Sequence, residues 1–319
     1  MSSDQSQSTP WRILRDLASW AQDFSLRKKV LGGFLGVVIF VGLVTSFIGT
    51  WQARDTIMEG AQDRLSADLA AASFAMSHFR ETLELKIRLM AGAQEIRELV
   101  QKGDAQGLAK RLEAFSVRSD LDFLSIADAK GRVIARAFAP PTGDSVSSDP
   151  IVMEAARVKD DGQGKGPSGT RLAPADRLAN EKPTLVQRLD PNDPKTGMVL
   201  EAAHPVMVGD KVAAVLYGGI LLNNDSHIVN EISRLVFKGK QFGERSVGFV
   251  TIYQGAAAIS TTLKGEDGLP GVGFKASDQI QNRVIADGKP GISSERRFGQ
   301  TYLSAAEPIR DSDGKIIGA

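Results

Sequence analysis

No residue from Val30 to Ala53 carries a charge. Within that run stand Leu31, Phe34, Leu35, Val37, Val38, Ile39, Phe40, Val41, Leu43, Val44, Phe47 and Ile48. A helix of roughly 20 such residues spans the ~30 Å hydrocarbon core of a bilayer. The chain is therefore expected to cross a membrane over Val30 to Thr50. Orientation follows from the flanks: Arg12, Arg15, Arg27, Lys28 and Lys29 precede the span, while Arg54 and Arg64 follow it among Asp55, Glu59 and Asp63. Residues 1–29 are then a cytoplasmic tail and the body lies on the far side. The competing reading is a cleaved signal peptide, whose apolar core is usually only 7–15 residues long and ends in an A-x-A-like site; no such site is evident here. Gly32 and Gly36 form a small-xxx-small pair of the kind that brings two membrane helices together.

Beyond the span, a 319-residue chain with 42% hydrophobic and 24% charged residues has room for two ordinary domains. Its formal net charge of +1 implies no polyanion partner, and its basic residues are scattered rather than interleaved with aromatics, so nucleic acid is not an expected ligand. The absence of cysteine excludes disulfides, thiolate metal sites and a cysteine nucleophile. In the tail, Trp11, Ile13, Leu14, Leu17, Trp20 and Phe24 among basic residues fit either an amphipathic helix at the inner membrane surface or an unstructured segment.

From Trp51 to about Arg118 the pattern is helical. Ile57, Ala61, Leu65, Ala72, Ala75, Phe79, Leu83, Ile87 and Met90 recur at three- or four-residue steps without proline, which predicts a long stalk helix over 51–118 with breaks at Gly92 and Gly103. The period then changes to two. Phe123–Ala127 and Arg132–Ala137, joined by Asp128-Ala129-Lys130-Gly131, read as a β-hairpin. Pro140 to Asn180 reads as loop with one short helix near Ile151–Val158, because Pro, Gly, Ser and Asp dominate it. Three strands are predicted next, Thr184–Leu189, Met198–Val208 and Val212–Leu222, and then a helix capped by Asn224 or Asp225.

The plan then repeats. Gly248–Thr261 matches the first hairpin in pattern, and Leu303-x-Ala305-Ala306-x-Pro308-Ile309 repeats Leu200-x-Ala202-Ala203-x-Pro205-Val206. Each copy leads to a Gly, a Lys and an apolar strand: Gly209, Lys211 and Val212, then Gly314, Lys315 and Ile316. Two tandem modules of one type are expected.

With these residues the chain resembles the extracytoplasmic double Cache sensors of bacterial histidine kinases and chemoreceptors. The resemblance is carried by Gly197–Asp225, the helix Ile228–Phe237, the strand Thr251–Thr262 and the closing segment Tyr302–Ala319. It implies an α+β fold: a transmembrane helix and stalk helix, then two tandem PAS-like antiparallel sheet modules flanked by helices. The membrane-distal module would occupy 119–223, a connecting helix 224–242 and the membrane-proximal module 243–319. It also implies placement in the bacterial inner membrane with both modules periplasmic, a further span, and a cytoplasmic kinase, chemoreceptor or cyclase output. Since the sequence stops at Ile316-Ile317-Gly318-Ala319, inside what would be the last strand, the second module is expected to be incomplete and the chain a fragment. One departure directs the search for a ligand. Relatives commonly place an arginine just before the Ile-Ser of the second module's early strand, where this chain has Ala258, so the distal module is the expected binding unit.

No catalytic constellation is expected. His78, His204 and His227 lack H-E-x-x-H spacing, and no P-loop or G-x-S-x-G elbow occurs. Gly164-Lys165-Gly166-Pro167-Ser168-Gly169 satisfies G-x-G-x-x-G but lacks a preceding apolar strand, and its proline prevents a helix from opening there; it reads as a flexible loop. Asp160-Asp161 and Glu266-Asp267 read as solvated turn residues. For a sensor, the useful residues are polar groups on the strands of the distal module, above all arginines that can hold a carboxylate through two parallel hydrogen bonds. Arg136, Arg188, His204 and Tyr217 are the strand candidates; Tyr217 shares a face with Val215 and Gly219. Arg171 and Arg177 lie in the predicted loop, where recognition often resides. The expectation is a small-molecule sensor, of an organic acid or an amino acid by analogy alone, dimeric through its stalk and needing no cofactor. The rival is a membrane-anchored interaction protein that keeps the fold without a ligand.

Overall fold

The computed structural model describes residues 26–158, 164–238, 241–242, 245–265, 268–297 and 300–319. The tail segment Trp11–Phe24 and the acidic pairs Asp160-Asp161 and Glu266-Asp267 lie outside the described residues. The chain divides into two compact units, Met1–Asp63 and Arg64–Ala319.

In the first unit the uncharged run is helical. Val30–Ile48 has a mean hydropathy of 2.4 over 19 residues and is long and apolar enough to cross a membrane. Phe34 and Phe40 are 70% and 67% exposed, so this apolar surface is uncovered among the described residues. The helix assigned here, α1 (Leu26–Ala91), has no internal proline to stop it.

In the second unit, the last part of α1 buries Leu83, Ile87 and Met90, one apolar stripe at helical spacing. Two further helices follow, α2 (Gln94–Lys102) and α3 (Ala105–Arg118). Gly103 separates them at φ 65°, a left-handed conformation in which its N–H reaches the Val100 carbonyl at 3.1 Å. Asp104 then caps α3 by accepting from Gly107 N at 2.9 Å. The stalk expected over 51–118 is thus one helix to Ala91 and two more beyond it.

The first sheet consists of β1 (Phe123–Asp128), β2 (Val133–Arg136), β3 (Ser168–Pro174), β4 (Thr196–Val208) and β5 (Lys211–Leu221). Its order is β2-β1-β5-β4-β3 with every pairing antiparallel. One face packs Leu124, Ile126, Leu200, Ala202 and Leu216 on the helices α1 to α3. The other packs Phe123, Val199, Ala203, Val215 and Tyr217 beneath α4 (Pro150–Ala155) and α5 (Ala175–Glu181).

Two expectations need correction. Thr184–Leu189 is not a strand: Pro183–Arg188 is a 3₁₀ turn, closed by Leu185 N to Lys182 O at 2.9 Å. Pro183 has no N–H for a ladder, and its fixed φ favours the first turn of a helix. The region 140–180 is not merely loop and one helix, since it contains β3 and α5. As the sheet's edge strand, β3 tolerates the Gly169 and Pro174 that made it unreadable as a strand.

After β5, Asp225 caps α6 (Ser226–Phe237) by accepting from His227 N at 2.7 Å. A two-residue pair follows, β6 (Gln241–Phe242) with β7 (Arg245–Ser246). The remaining strands are β8 (Thr251–Gln254), β9 (Ala257–Thr261), β10 (Gly291–Arg297), β11 (Gln300–Ala306), β12 (Ile309–Arg310) and β13 (Ile316–Gly318). They form a four-stranded sheet of order β12-β13-β8-β9 and a β10-β11 hairpin. A π-helical turn, Ile280–Ala286, packs Ile280 and Val284 with Tyr253, Ala258 and Ala276. Asn224 N donates to Ile259 O at 2.7 Å, and Gln254 Nε2 donates to Thr196 Oγ1 at 3.0 Å, tying this part to β4 and the end of β5.

Candidate functional site

Register brings polar side chains of the first sheet into one row. Arg136 stands opposite Ser125, Ser125 opposite Tyr217, and Tyr217 opposite Ala203. The neighbouring row runs Phe123, Gly219, Glu201, Gly169. Gly219 is required there: a Cβ would lie 2.3 Å from the Leu200 carbonyl oxygen and 2.8 Å from the Phe123 ring. Because side chains alternate, both rows belong to the face covered by α4 and α5.

Those helices close the cluster with carboxylates. Glu181, at the end of α5, accepts from Tyr217 Oη at 2.8 Å through one oxygen and from Ser125 Oγ through the other, which also lies 3.4 Å from Arg136 Nε. Asp149 caps α4, with Ile151 N at 3.0 Å, and its second oxygen pairs with Arg171 and with Arg177, the latter at 2.5 Å. Glu201 accepts from Arg177 Nη2 at 2.5 Å and from Arg171 Nη1 at 3.1 Å. The Arg177 guanidinium also lies 5.6 Å from the Tyr217 ring centroid. Asp144, from the segment between β2 and α4, pairs with Arg136 Nη2.

Burial dominates the electrostatics. It pushes the Tyr217 phenol up, and the Glu181 charge adds to the shift, so the hydroxyl stays protonated and donates. Burial also raises the Glu201 carboxyl, against the opposing pull of Arg177. For Arg177, burial disfavours the charge but Glu201 and Asp149 outweigh it and hold the pKa up. Arg136 is 1% exposed; among the described residues its Nε and Nη1 have no hydrogen-bond acceptor, Nε having only the ion-pair contact to Glu181. Buried donors of this kind are costly unless something accepts from them.

The structure therefore brings Arg136, Tyr217 and Arg171 to one face, with Arg177 beside them. Arg171 stands in β3 and Arg177 in α5, not in the loop expected for both. Arg188 and His204 are elsewhere. Arg188 lies in the 3₁₀ turn, donating to Asp122 Oδ1 at 2.7 Å and to Asn223 O at 3.1 Å. His204 alternates with Ala203 and so belongs to the opposite face; its ring nitrogens lie 3.1 Å from Pro205 O and 3.4 Å from Gly164 O. Gly164–Gly169 is fastened, since Gly166 N donates to the buried Glu84 at 2.9 Å and Ser168-Gly169 begins β3. Sequence reasoning missed Ser125, Asp144, Asp149, Glu181 and Glu201. For Glu201 the signal was a lone charge inside the apolar run Met198–Ala203, and for Asp149 it was an acidic residue directly before the proline that opens a helix.

Residues 220–319 match the family described as Single cache domain 3. The likeness is to Cache sensor domains. Among solved structures, the periplasmic domain of LuxQ from Vibrio cholerae is 13% identical, with a TM-score of 0.41 over 77% of this chain and 98% of its own. The ligand-binding domain of the Campylobacter jejuni chemoreceptor Tlp3, solved with L-valine, is 10% identical with a TM-score of 0.41, over 78% of this chain and 87% of its own. A domain of a putative sensory box/GGDEF family protein from Vibrio parahaemolyticus is 11% identical with a TM-score of 0.44, over 77% of this chain and 97% of its own. No curated protein matches the chain. The Cache match takes in the end of β5, α6 and the second sheet, whereas the polar cluster lies ahead of it, between Ser125 and Tyr217.

Proposed function

We propose that the chain is the small-molecule sensing region of a membrane-anchored signal-transduction protein of histidine kinase or chemoreceptor type. The solute, an organic acid or an amino acid, binds on the Tyr217 face of the first sheet, under α4 and α5. The observation that carries this reading is Arg136: a buried guanidinium beside Ser125, Tyr217 and Glu181 whose Nη1 finds no acceptor among the described residues. A small-molecule site needs few converging polar groups in an otherwise apolar surround, and Phe123, Val199, Ala203 and Val215 supply the surround. The Cache match and the apolar helix Val30–Ile48 support an anchored extracytoplasmic placement with the N-terminus inside.

The reading includes two tandem modules. In its support, β9-β8-β13-β12 and the β10-β11 hairpin follow the first sheet's order, with β11 and β12 together taking the place of β4. The repeated Leu-x-Ala-Ala-x-Pro falls on β4 in one and on β11 and β12 in the other, where Pro308 interrupts the strand. The chain acts as a homodimer through α1, motivated by Gly32 and Gly36; a monomer in sedimentation of the full chain at all usable concentrations contradicts this.

The test of sensing is a thermal screen of the full chain against amino acids and organic acids. A ligand that binds only the native state raises the midpoint by mass action. At least one compound should do so, and Arg136→Lys, which keeps the charge but loses the planar fork, should remove the shift. One observation favours the rival, an interaction protein without a ligand: the Nη groups of Arg171 and Arg177 already pair with Asp149 and Glu201, and of their buried nitrogens only Arg177 Nε is short of a hydrogen bond among the described residues. No shift with any compound selects that rival.

A further inference from the structure

The three arginines of the cluster are closed off differently. Arg171 and Arg177 bond carboxylates that are themselves buried, Asp149 and Glu201. Arg136 is more deeply buried than either, yet its hydrogen-bonded carboxylate, Asp144, has a side chain 24% exposed and comes from a segment in which Pro140 to Gly143 are open to solvent. Asp144 uses one oxygen for Arg136 Nη2 and the other for the Thr142 hydroxyl at 2.7 Å. Arg136 Nη1 is left without an acceptor among the described residues. A guanidinium fork matches both oxygens of one carboxylate, so Asp144 occupies this position without using it fully.

We propose that Asp144 is a built-in competitor: its side chain occupies the place of a solute's carboxylate at Arg136, and binding exchanges the two and frees the Asp144 side chain and the Thr142–Gly143 turn. The inference rests on the sensing function proposed above and names the solute's recognised group and the element it displaces. Exchanging one carboxylate for another leaves no new unpaired charge on Arg136, which would be strongly unfavourable at a buried site. The incoming group also gains the Nη1 donor that Asp144 leaves idle. The movable part ends at Asp144. Gly143 adopts φ 77°, while the backbone from Asp144 onward is held through Val133 N to Asp144 O at 3.2 Å, Val146 N to Gly131 O at 2.8 Å and Ser145 Oγ to Gly131 O at 3.0 Å. Release of Asp144 therefore moves a few residues and leaves α4 in place.

The experiment titrates the full chain in nanodiscs with acetate, a bare carboxylate, against chloride at equal ionic strength, and follows the thermal midpoint. Asp144→Asn keeps an acceptor oxygen for Arg136 and so preserves packing, but competes less for the fork. It should reach half its maximal shift at about tenfold lower acetate than the wild type, as expected when a competing state occupied about nine-tenths of the time is removed. Asp176→Asn, which removes an equal charge from the first turn of α5, should behave as wild type. Arg136→Lys in the Asp144→Asn background should abolish the response. Equal responses of wild type and Asp144→Asn, lost with Arg136→Lys, overturn the competitor and leave the sensing function standing. Absence of any acetate response overturns the carboxylate position at Arg136 itself, and the metabolite screen decides separately whether sensing falls with it.

Discussion

Glu181 is the residue on which the cluster converges, since it accepts from Tyr217 and Ser125 and faces Arg136. Replacing Tyr217 with Phe removes one donor and leaves a buried carboxylate oxygen short of a partner, so about 1–3 kcal/mol of stability should be lost. Chemical denaturation measures it, and a loss near zero would mean that Glu181 finds another donor. Asp144 predicts a pH effect. Burial works against its ionisation, but Arg136 and Thr142 outweigh burial and hold the carboxyl below its ordinary 3.8. A carboxyl with a depressed folded pKa stabilises fully above its unfolded pKa, and the stabilisation is lost as pH falls through the folded value. Wild type should therefore lose stability more steeply than Asp144→Asn below about pH 4; parallel curves would contradict the pairing. At this scale the sequence was half legible. Arg136 and Tyr217 stood out as polar residues in apolar strands, and alternation placed Tyr217 with Val215 and Gly219. Glu181 did not, because nothing local says that a carboxylate at the end of a seven-residue helix will reach β1 and β5.

Among the elements, the 3₁₀ turn matters beyond its length. Arg188 at its end bonds Asp122 before β1 and the carbonyl of Asn223 after β5, and lies 3.6 Å from Asp225 at the cap of α6. The turn follows α5, so a shift of Glu181 on binding has a short covalent route to the junction with the second sheet. Arg188→Ala should cost about 1–2 kcal/mol, the range for a charged hydrogen-bond set reduced for partial exposure, and should speed amide exchange at the start of α6. Unchanged exchange there would show that α6 is held without it. Long elements were readable because their patterns are long: β4, β5, α6 and the β8-β9 hairpin all fall where predicted. The 3₁₀ turn and β3 were misread for opposite reasons. Thr184–Leu189 carries strand-favouring Thr and Val although Pro183 commits it to a turn, and β3 carries loop-like residues that pairing with β4 holds extended.

For the whole molecule, an apolar helix long enough to cross a membrane, one helix-covered sheet and a second strand assembly give a receptor only if a solute alters the balance between two arrangements, and it can do so only through its different affinity for them. The long apolar helix was legible from its hydrophobic residues and lack of charge, and the second strand assembly from the repeated Leu-x-Ala-Ala-x-Pro pattern and the matching hairpin; the ion-paired interior of the first sheet was not, since pairing is a property of three-dimensional register. The most direct test is amide hydrogen exchange on the full chain with a compound found in the thermal screen. Slowed exchange concentrated in α5 and in the strands bearing Ser125 and Tyr217 is the predicted result. Protection confined to residues 251–306, or spread without pattern, would contradict a solute site on the Tyr217 face.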